Sequence, residues 1–167
     1  VEFKIDILQN GAVYNNHSYK LTTLPAKVKL EKGNYTLKIY QVDNNIGPRY
    51  NEYEKEFAIE EGKTTNLGSV EMEMQNFGIA LTLPDGFSDW FKSYTFTATV
   101  GEASKTLKSG EIAYFDFPDG LCDFSYELKA TNQDGEEKIS IGNYLKDDNT
   151  GRPVLAANTI YFINYNM

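Results

Sequence analysis

The residues best suited to nucleophilic chemistry are the one cysteine and the one histidine of this 167-residue chain. A cysteine reacts as its thiolate, which needs an exposed, electropositive setting with a base nearby. Cys122 shares one face of an alternating segment with apolar neighbours as far as Ala130, so we expect it to be buried. His17 lies in the polar segment 15–18, read as a loop, in the other half of the chain. The pattern favours a core cysteine over a Cys–His pair, and we predict no catalytic residues.

Two polar segments carry oxygen atoms that could bind a cation. They are Asp-Asp-Asn-Thr-Gly at 147–151 and Asp-Asn-Asn at 43–45. Neither has the spaced carboxylates and distal glutamate of a calcium loop, and zinc sites need more Cys and His ligands than this chain has. We therefore predict no metal and no cofactor. Calcium binding at 147–151 stays open as the alternative to a solvated hairpin tip.

Aromatic residues provide the other candidate chemistry, because an exposed ring can stack against a sugar. Tyr50 and Tyr53 follow the loop Gly-Pro-Arg at 47–49 and are the ligand-binding residues that we predict. Phe87, Trp90 and Phe91 follow the i, i+3, i+4 spacing of one helical turn, for which Ser88 and Asp89 are candidate caps. That spacing puts Trp90 on the apolar side, so we expect it to be buried.

The elements that position these residues are predicted to be strands. The chain has 12 tyrosines and 10 phenylalanines, many of them in segments where apolar and polar residues alternate, which favours half-buried sheet. Turn clusters recur about every ten residues, as in sandwiches and barrels. The predicted strands lie at 3–7, 28–30, 35–39, 53–59, 70–74, 77–83, 94–100, 105–107, 112–117, 122–130, 138–141 and 159–165.

A repeated pattern indicates two domains. The segment 30–37, Leu-Glu-Lys-Gly-Asn-Tyr-Thr-Leu, has a counterpart in 117–124, and closing strands are predicted at 65–74 and 159–166. The predicted fold class is all-β, with two small immunoglobulin-like or transthyretin-like β-sandwich domains in tandem at 1–75 and 76–167. One short helical turn is expected near 87–92. The position of Tyr35 early in its strand resembles a tyrosine corner, in which the phenol bonds to upstream backbone.

Composition excludes several classes of partner. Sixteen basic and 24 acidic residues give a net charge of −8, and no basic stripe is present to contact phosphates, so we predict no nucleic-acid partner. No apolar run approaches 18 residues, so we predict no transmembrane segment. Since the chain starts at Val1 without a leader pattern, we expect that a targeting segment has been removed.

Four segments in this order resemble a known family: Leu-Pro-Ala at 24–26, the segment 30–37, Phe-Ala-Ile-Glu-Glu-Gly-Lys-Thr-Thr at 57–65 and Phe-Ser-Asp-Trp-Phe-Lys-Ser-Tyr at 87–94. The resemblance is to the Bacteroidetes secreted domain of the domain-of-unknown-function family 4493, from about Ile5 to the end. It implies a cell-surface lipoprotein with a β-sandwich fold, anchored by a lipid on a cysteine upstream of Val1. It implies no catalytic residues.

These features predict a non-catalytic structural or adhesion module of an exported bacterial lipoprotein at the outer-membrane or extracellular surface. A surface protein or a glycan is the expected partner. A strand at the N-terminus could be exchanged between subunits, which would make Val1–Leu8 a polymerising element. The alternative is a carbohydrate-binding module.

Overall fold

The computed structural model describes residues 1–43, 47–118, 123–144 and 155–166. The chain divides into two compact units, one made of Val1–Asn45 with Arg49–Met74 and one made of Ile46–Pro48 with Gln75–Met167. The described structure is all-β and sandwich-like, as the alternating sequence predicts, with one 3-10 turn at Leu21–Thr23 and one short α-helix.

Unit 1 is built on one antiparallel sheet. Its order is β2-β1-β3-β4, with strands β1 (Phe3–Gln9), β2 (Ala12–Lys20), β3 (Gly33–Gln41) and β4 (Tyr53–Ile59). The apolar face carries the buried side chains Ile5, Ile7, Tyr35 and Leu37. The N-terminal strand β1 is an interior strand, paired on one side with β2 and on the other with β3.

The β1–β2 hairpin is not among the predicted elements. Asn10 and Gly11 both have positive φ, 52° and 78°, as a two-residue turn between twisted strands requires. The segment that contains His17 is therefore part of strand β2 and not a loop. Asn15 and Asn16 also have positive φ, and the register of β2 on β1 shifts there, so β2 carries a bulge in mid-strand.

The second layer of unit 1 consists of irregular segments. Val28, Leu30 and Leu67 pack against the apolar face of the sheet without forming strands. The predicted strand at 70–74, and with it the closing strand at 65–74, is wrong, because Met74 makes only an isolated bridge to Tyr50. Alternation of apolar and polar residues does not produce a strand here, because no described strand forms a ladder with this segment. The two halves of the chain thus do not repeat one plan.

Unit 2 contains two sheets that face each other across one core. One sheet has the order β10-β9-β6-β7 and the other β11-β5-β8. Their strands are β5 (Phe77–Thr82), β6 (Phe91–Val100), β7 (Ala103–Leu107), β8 (Ile112–Phe115), β9 (Phe124–Asn132), β10 (Glu137–Tyr144) and β11 (Thr159–Asn164). The side chains between the sheets that are almost completely buried include Phe77, Ile79, Leu81, Phe96 and Phe124. Strand β11 runs parallel to β5, whereas the other strand pairs among the described residues are antiparallel.

Helix α1 (Phe87–Trp90) is the predicted helical turn, inserted between β5 and β6. Its N-cap is Gly86, with φ of 78°, and no side chain caps it, so the expectation of Ser88 or Asp89 as a cap is wrong. The backbone becomes extended at Phe91, where β6 begins. Phe91 therefore belongs to a strand, and the helical spacing that would bury Trp90 does not apply.

Candidate functional site

An exposed tryptophan is the most prominent binding feature among the described residues. Trp90 is 67% exposed, which overturns the expectation that it is buried. It lies at the last position of α1, and the chain reverses immediately after it. A tryptophan so exposed gains little from folding, so its large amphipathic ring is free to contact another molecule.

A buried aromatic cluster holds the backbone beneath Trp90. Phe87 and Phe91, on either side of it, are buried and stack with ring centroids 4.7 Å apart. Tyr94 and Tyr165 meet the Phe87 ring edge-on at 5.6 and 5.8 Å. Packing on both sides fixes the backbone from which the indole projects.

Hydrogen bonds tie the same turn to the β9–β10 connection. Nε2 of Gln133 donates to the carbonyl oxygens of Ser88 and Asp89, at 3.0 and 3.4 Å. Within the connection, Asn132 Oδ1 accepts from the backbone N–H of Glu136 at 2.8 Å, and Asn132 Nδ2 donates to the Glu136 carboxylate at 3.1 Å. We call Trp90, Gln133 and their two turns the Trp90 surface. It combines an exposed ring with the exposed carboxylates of Asp89 and Glu136, whereas the Gln133 and Asn132 amides already bond within the protein.

The predicted ligand residues Tyr50 and Tyr53 lie elsewhere, in unit 1. Tyr50 is half-buried, with its ring against the edge of Phe3 at 5.4 Å and its N–H donating to Gln41 Oε1 at 2.9 Å. Tyr53 is also half-buried and packs against the apolar cluster of the unit 1 sheet. Both rings make intramolecular packing contacts, so neither offers as open a face as Trp90.

His17 joins a row of aromatic side chains. Its ring lies parallel to that of Tyr14 at 6.0 Å, and its Nδ1 shares a hydrogen bond of 2.5 Å with the Tyr19 phenol. Tyr14 in turn contacts Tyr35 edge-on at 5.2 Å. Cys122 lies outside the described residues, so the expectations that it is buried and does not pair with His17 stay predictions.

A buried carboxylate lies on the opposite face of the unit 1 sheet. Asp6 accepts hydrogen bonds from Ser18 Oγ at 2.5 Å and from the Tyr40 phenol at 3.0 Å. Burial, followed by the bond to Asp6, raises the pKa of Tyr40. Its neighbour Lys38 pairs with Glu52 at 3.2 Å, and this hydrogen-bonded pairing raises the pKa of Lys38. Each oxygen of Asp6 already has a donor, so the cluster serves to satisfy a buried charge.

Among the described residues, no three His, Cys, Asp or Glu side chains are grouped to hold a metal ion. In the segment 43–45 only Asp43 is described. Burial alone would raise the pKa of Asp43, but hydrogen bonds from Gln41 and from backbone amides lower it below its usual value. The segment 147–151 lies outside the described residues, so calcium binding there stays an open prediction.

No helix in the described part of the chain has the length and apolar character needed to cross a membrane. The described structure is thus all-β and carries an exposed tryptophan at the end of α1.

Comparison with known families gives a match over the whole chain. The model of the family described as Domain of unknown function (DUF4493) matches residues 1–167. The chain therefore belongs to that family, as the motif order predicts. No curated protein and no solved structure matches it.

Proposed function

We propose that this chain is a non-catalytic structural or adhesion module of an exported bacterial lipoprotein, displayed at the cell surface. The observation that supports it is Trp90, a large side chain held in solvent by a fixed backbone. Exposed aromatic residues dominate the energetics of recognition surfaces, where they dock into a partner. The motif resemblance to a Bacteroidetes secreted domain implies surface display through a lipid anchor upstream of Val1, and this supports the proposal.

The version of this proposal in which Val1–Leu8 is exchanged between subunits needs a specific rearrangement. Strand β1 pairs with β2 and β3 within its own chain, and Ile5 and Ile7 are buried. A donated copy would have to replace an interior strand and not simply add to an edge. Adhesion through a surface ligand requires no such exchange.

The test uses intact cells of the producing bacterium and beads coated with the purified chain. We expect antibodies against the chain to label intact cells, and wild-type beads to be retained on a target cell layer. Beads that carry Trp90→Ala should be retained several-fold less, because hot-spot tryptophans contribute about 2 kcal/mol or more to binding. Labelling only after lysis would contradict surface display, and equal retention of both beads would contradict adhesion through Trp90.

The second candidate function is carbohydrate binding, and the exposure of Trp90 beside Gln133 and Asp89 specifically favours it. A sugar offers an apolar ring face for the indole and hydroxyl groups for the exposed Asp89 carboxylate. On a glycan array, we expect Trp90→Ala to lose about tenfold or more in affinity. Tyr50→Ala makes the same change at the ligand-binding residue predicted from the sequence and is measured beside Trp90→Ala. Loss of binding in Tyr50→Ala alone would assign the sugar to the unit 1 loop, and an array without any hit would exclude this function.

A further inference from the structure

Strand β10 is an open edge of the larger sheet of unit 2. It pairs with β9 in an unbroken register of eight residues, from Glu137 opposite Thr131 to Tyr144 opposite Phe124. No described strand pairs with its other side. An edge strand presents alternate backbone N–H and C=O groups that can pair with another strand.

The other sheet edges in the described structure are shorter or obstructed. Strand β2 is interrupted by the bulge at Asn15 and Asn16, and β4 carries the charged run Glu54, Lys55, Glu56. Strands β7, β8 and β11 have five, four and six residues. Bulges, charges and short length are the devices by which natural sheets avoid edge pairing. Strand β10 is the longest edge that has no bulge or proline.

Two isoleucines project from β10 on the solvent face of the sheet. Ile139 is 54% and Ile141 70% exposed, although isoleucine is among the residues most often buried. They lie opposite Lys129 and Glu127 of β9, which pair at 3.6 Å. The edge is therefore apolar and locally neutral in a chain with a net charge of −8, so charge repulsion does not oppose contact between two copies there.

The sequence of β10 is complementary to itself in antiparallel orientation. When Ser140 faces Ser140 of a second copy, each Ile139 lies opposite an Ile141, and such β-branched cross-strand pairs stabilise sheets. Lys138 then lies opposite a glycine and Glu137 opposite an asparagine, so no like charges face each other. On the inner face, Ser140 and Gly142 are small, and a Cβ on Gly142 would meet the Tyr126 ring of its own chain. The side chains nearest the proposed axis on that face are therefore small, and the larger Lys138 and Tyr144 lie farther along the strand.

From this geometry, we propose that two copies of this chain associate through β10, in an antiparallel pair with its two-fold axis at Ser140, to form one continuous eight-stranded sheet. A two-fold contact of this kind is closed, so association should stop at the dimer. A contact confined to one strand edge lies at the lower end of specific interface sizes, below about 1,200 Å² in total. The dimer should therefore be weak and depend on concentration. The proposal does not depend on the Trp90 surface.

Sedimentation across protein concentrations up to about 1 mM tests the association. We expect a monomer–dimer equilibrium in which Ile141→Lys raises the dissociation constant about tenfold or more, because it removes two cross-strand pairs and adds two charges. Val13→Lys is the matched control, since Val13 is 42% exposed on the edge strand β2, and it should behave as the wild type. A monomer at all concentrations would overturn self-pairing, and β10 would then be free to pair only with a strand of another protein. A dimer unaffected by Ile141→Lys would also overturn it.

Disulfide trapping tests the register, in a Cys122→Ser background. The proposed pair puts the two Cα atoms of residue 140 about 4.5–5.5 Å apart, within the range that a disulfide bridges. Ser140→Cys should therefore form a covalent dimer in a glutathione buffer. Glu137→Cys should not, because its counterpart lies six residues along the strand, about 20 Å away. Equal cross-linking of both variants, or none for Ser140→Cys, would overturn the two-fold axis at Ser140.

Discussion

At the scale of single residues, local contacts determine which side chains serve the fold and which are available for binding. Tyr35 is buried, and its phenol donates to the carbonyl oxygen of Glu31 at 2.8 Å, as the tyrosine-corner pattern predicts. The spacing of Trp90 in the sequence also predicts burial, but its side chain is exposed. The difference arises because a strand fixes the direction of Tyr35, whereas α1 ends at Trp90 before a helical face can form.

Replacing the corner phenol tests its contribution to stability. Tyr35→Phe removes one hydrogen bond and leaves the ring in place, so it should lower the free energy of unfolding by about 1 kcal/mol. Tyr53→Phe is the control, since Tyr53 packs on the same face and its phenol has no hydrogen-bond partner among the described residues. Urea denaturation measures both. Equal values for the two variants would contradict the corner assignment.

The Tyr40 phenol should make stability depend on alkaline pH. Its pKa is raised in the folded state, so its contribution is complete below the unfolded value of about 10 and is lost as pH rises through the folded pKa. We expect Tyr40→Phe to show a smaller fall in the free energy of unfolding between pH 9 and pH 11 than the wild type. An identical pH profile for both proteins would show that burial and the bond to Asp6 do not raise the pKa of Tyr40.

At the scale of elements, the smaller sheet of unit 2 depends on a close approach around β5. A Cβ placed on Gly78 would lie 2.6 Å from Ile160 Cδ1 of β11 and 2.7 Å from Ile112 Cγ2 of β8. Both flanking side chains therefore close over the glycine. A glycine in a strand interior is otherwise unfavourable, and this contact explains why one is present.

Gly78→Ala should consequently destabilise unit 2 by about 1–3 kcal/mol through overpacking. Ile160→Val removes the Cδ1 atom that the new methyl would meet, so the double variant should be more stable than the sum of the two single changes predicts. Thermal or denaturant unfolding of the wild type, the two single variants and the double variant measures this coupling. Strict additivity would contradict a direct clash between β5 and β11.

At the scale of the whole molecule, the two units have separate cores. The apolar cluster around Ile7 and Tyr35 shares no residue with the one around Leu81 and Phe96. Each core is therefore expected to stabilise the strands of its own unit, so that a change in one core need not affect the other.

Hydrogen exchange measures this independence. Ile7→Ala should cost about 2–5 kcal/mol and speed exchange in strands β1–β4. The matched change Leu81→Ala should do so in β5–β11. Faster exchange throughout the chain from either substitution would show that the units unfold as one.

The sequence alone determined the all-β class, the positions of most strands, the tyrosine corner and the family, because alternation and turn residues act over a few neighbours. The Asn-Gly turn at 10–11 also carried a readable hairpin signal. Only the tertiary structure decided that 65–74 forms no strand, that β1 is an interior strand, that Trp90 faces solvent and that β10 has an open edge. Pairing partners and exposure depend on residues distant in the chain, whose packing no local pattern records.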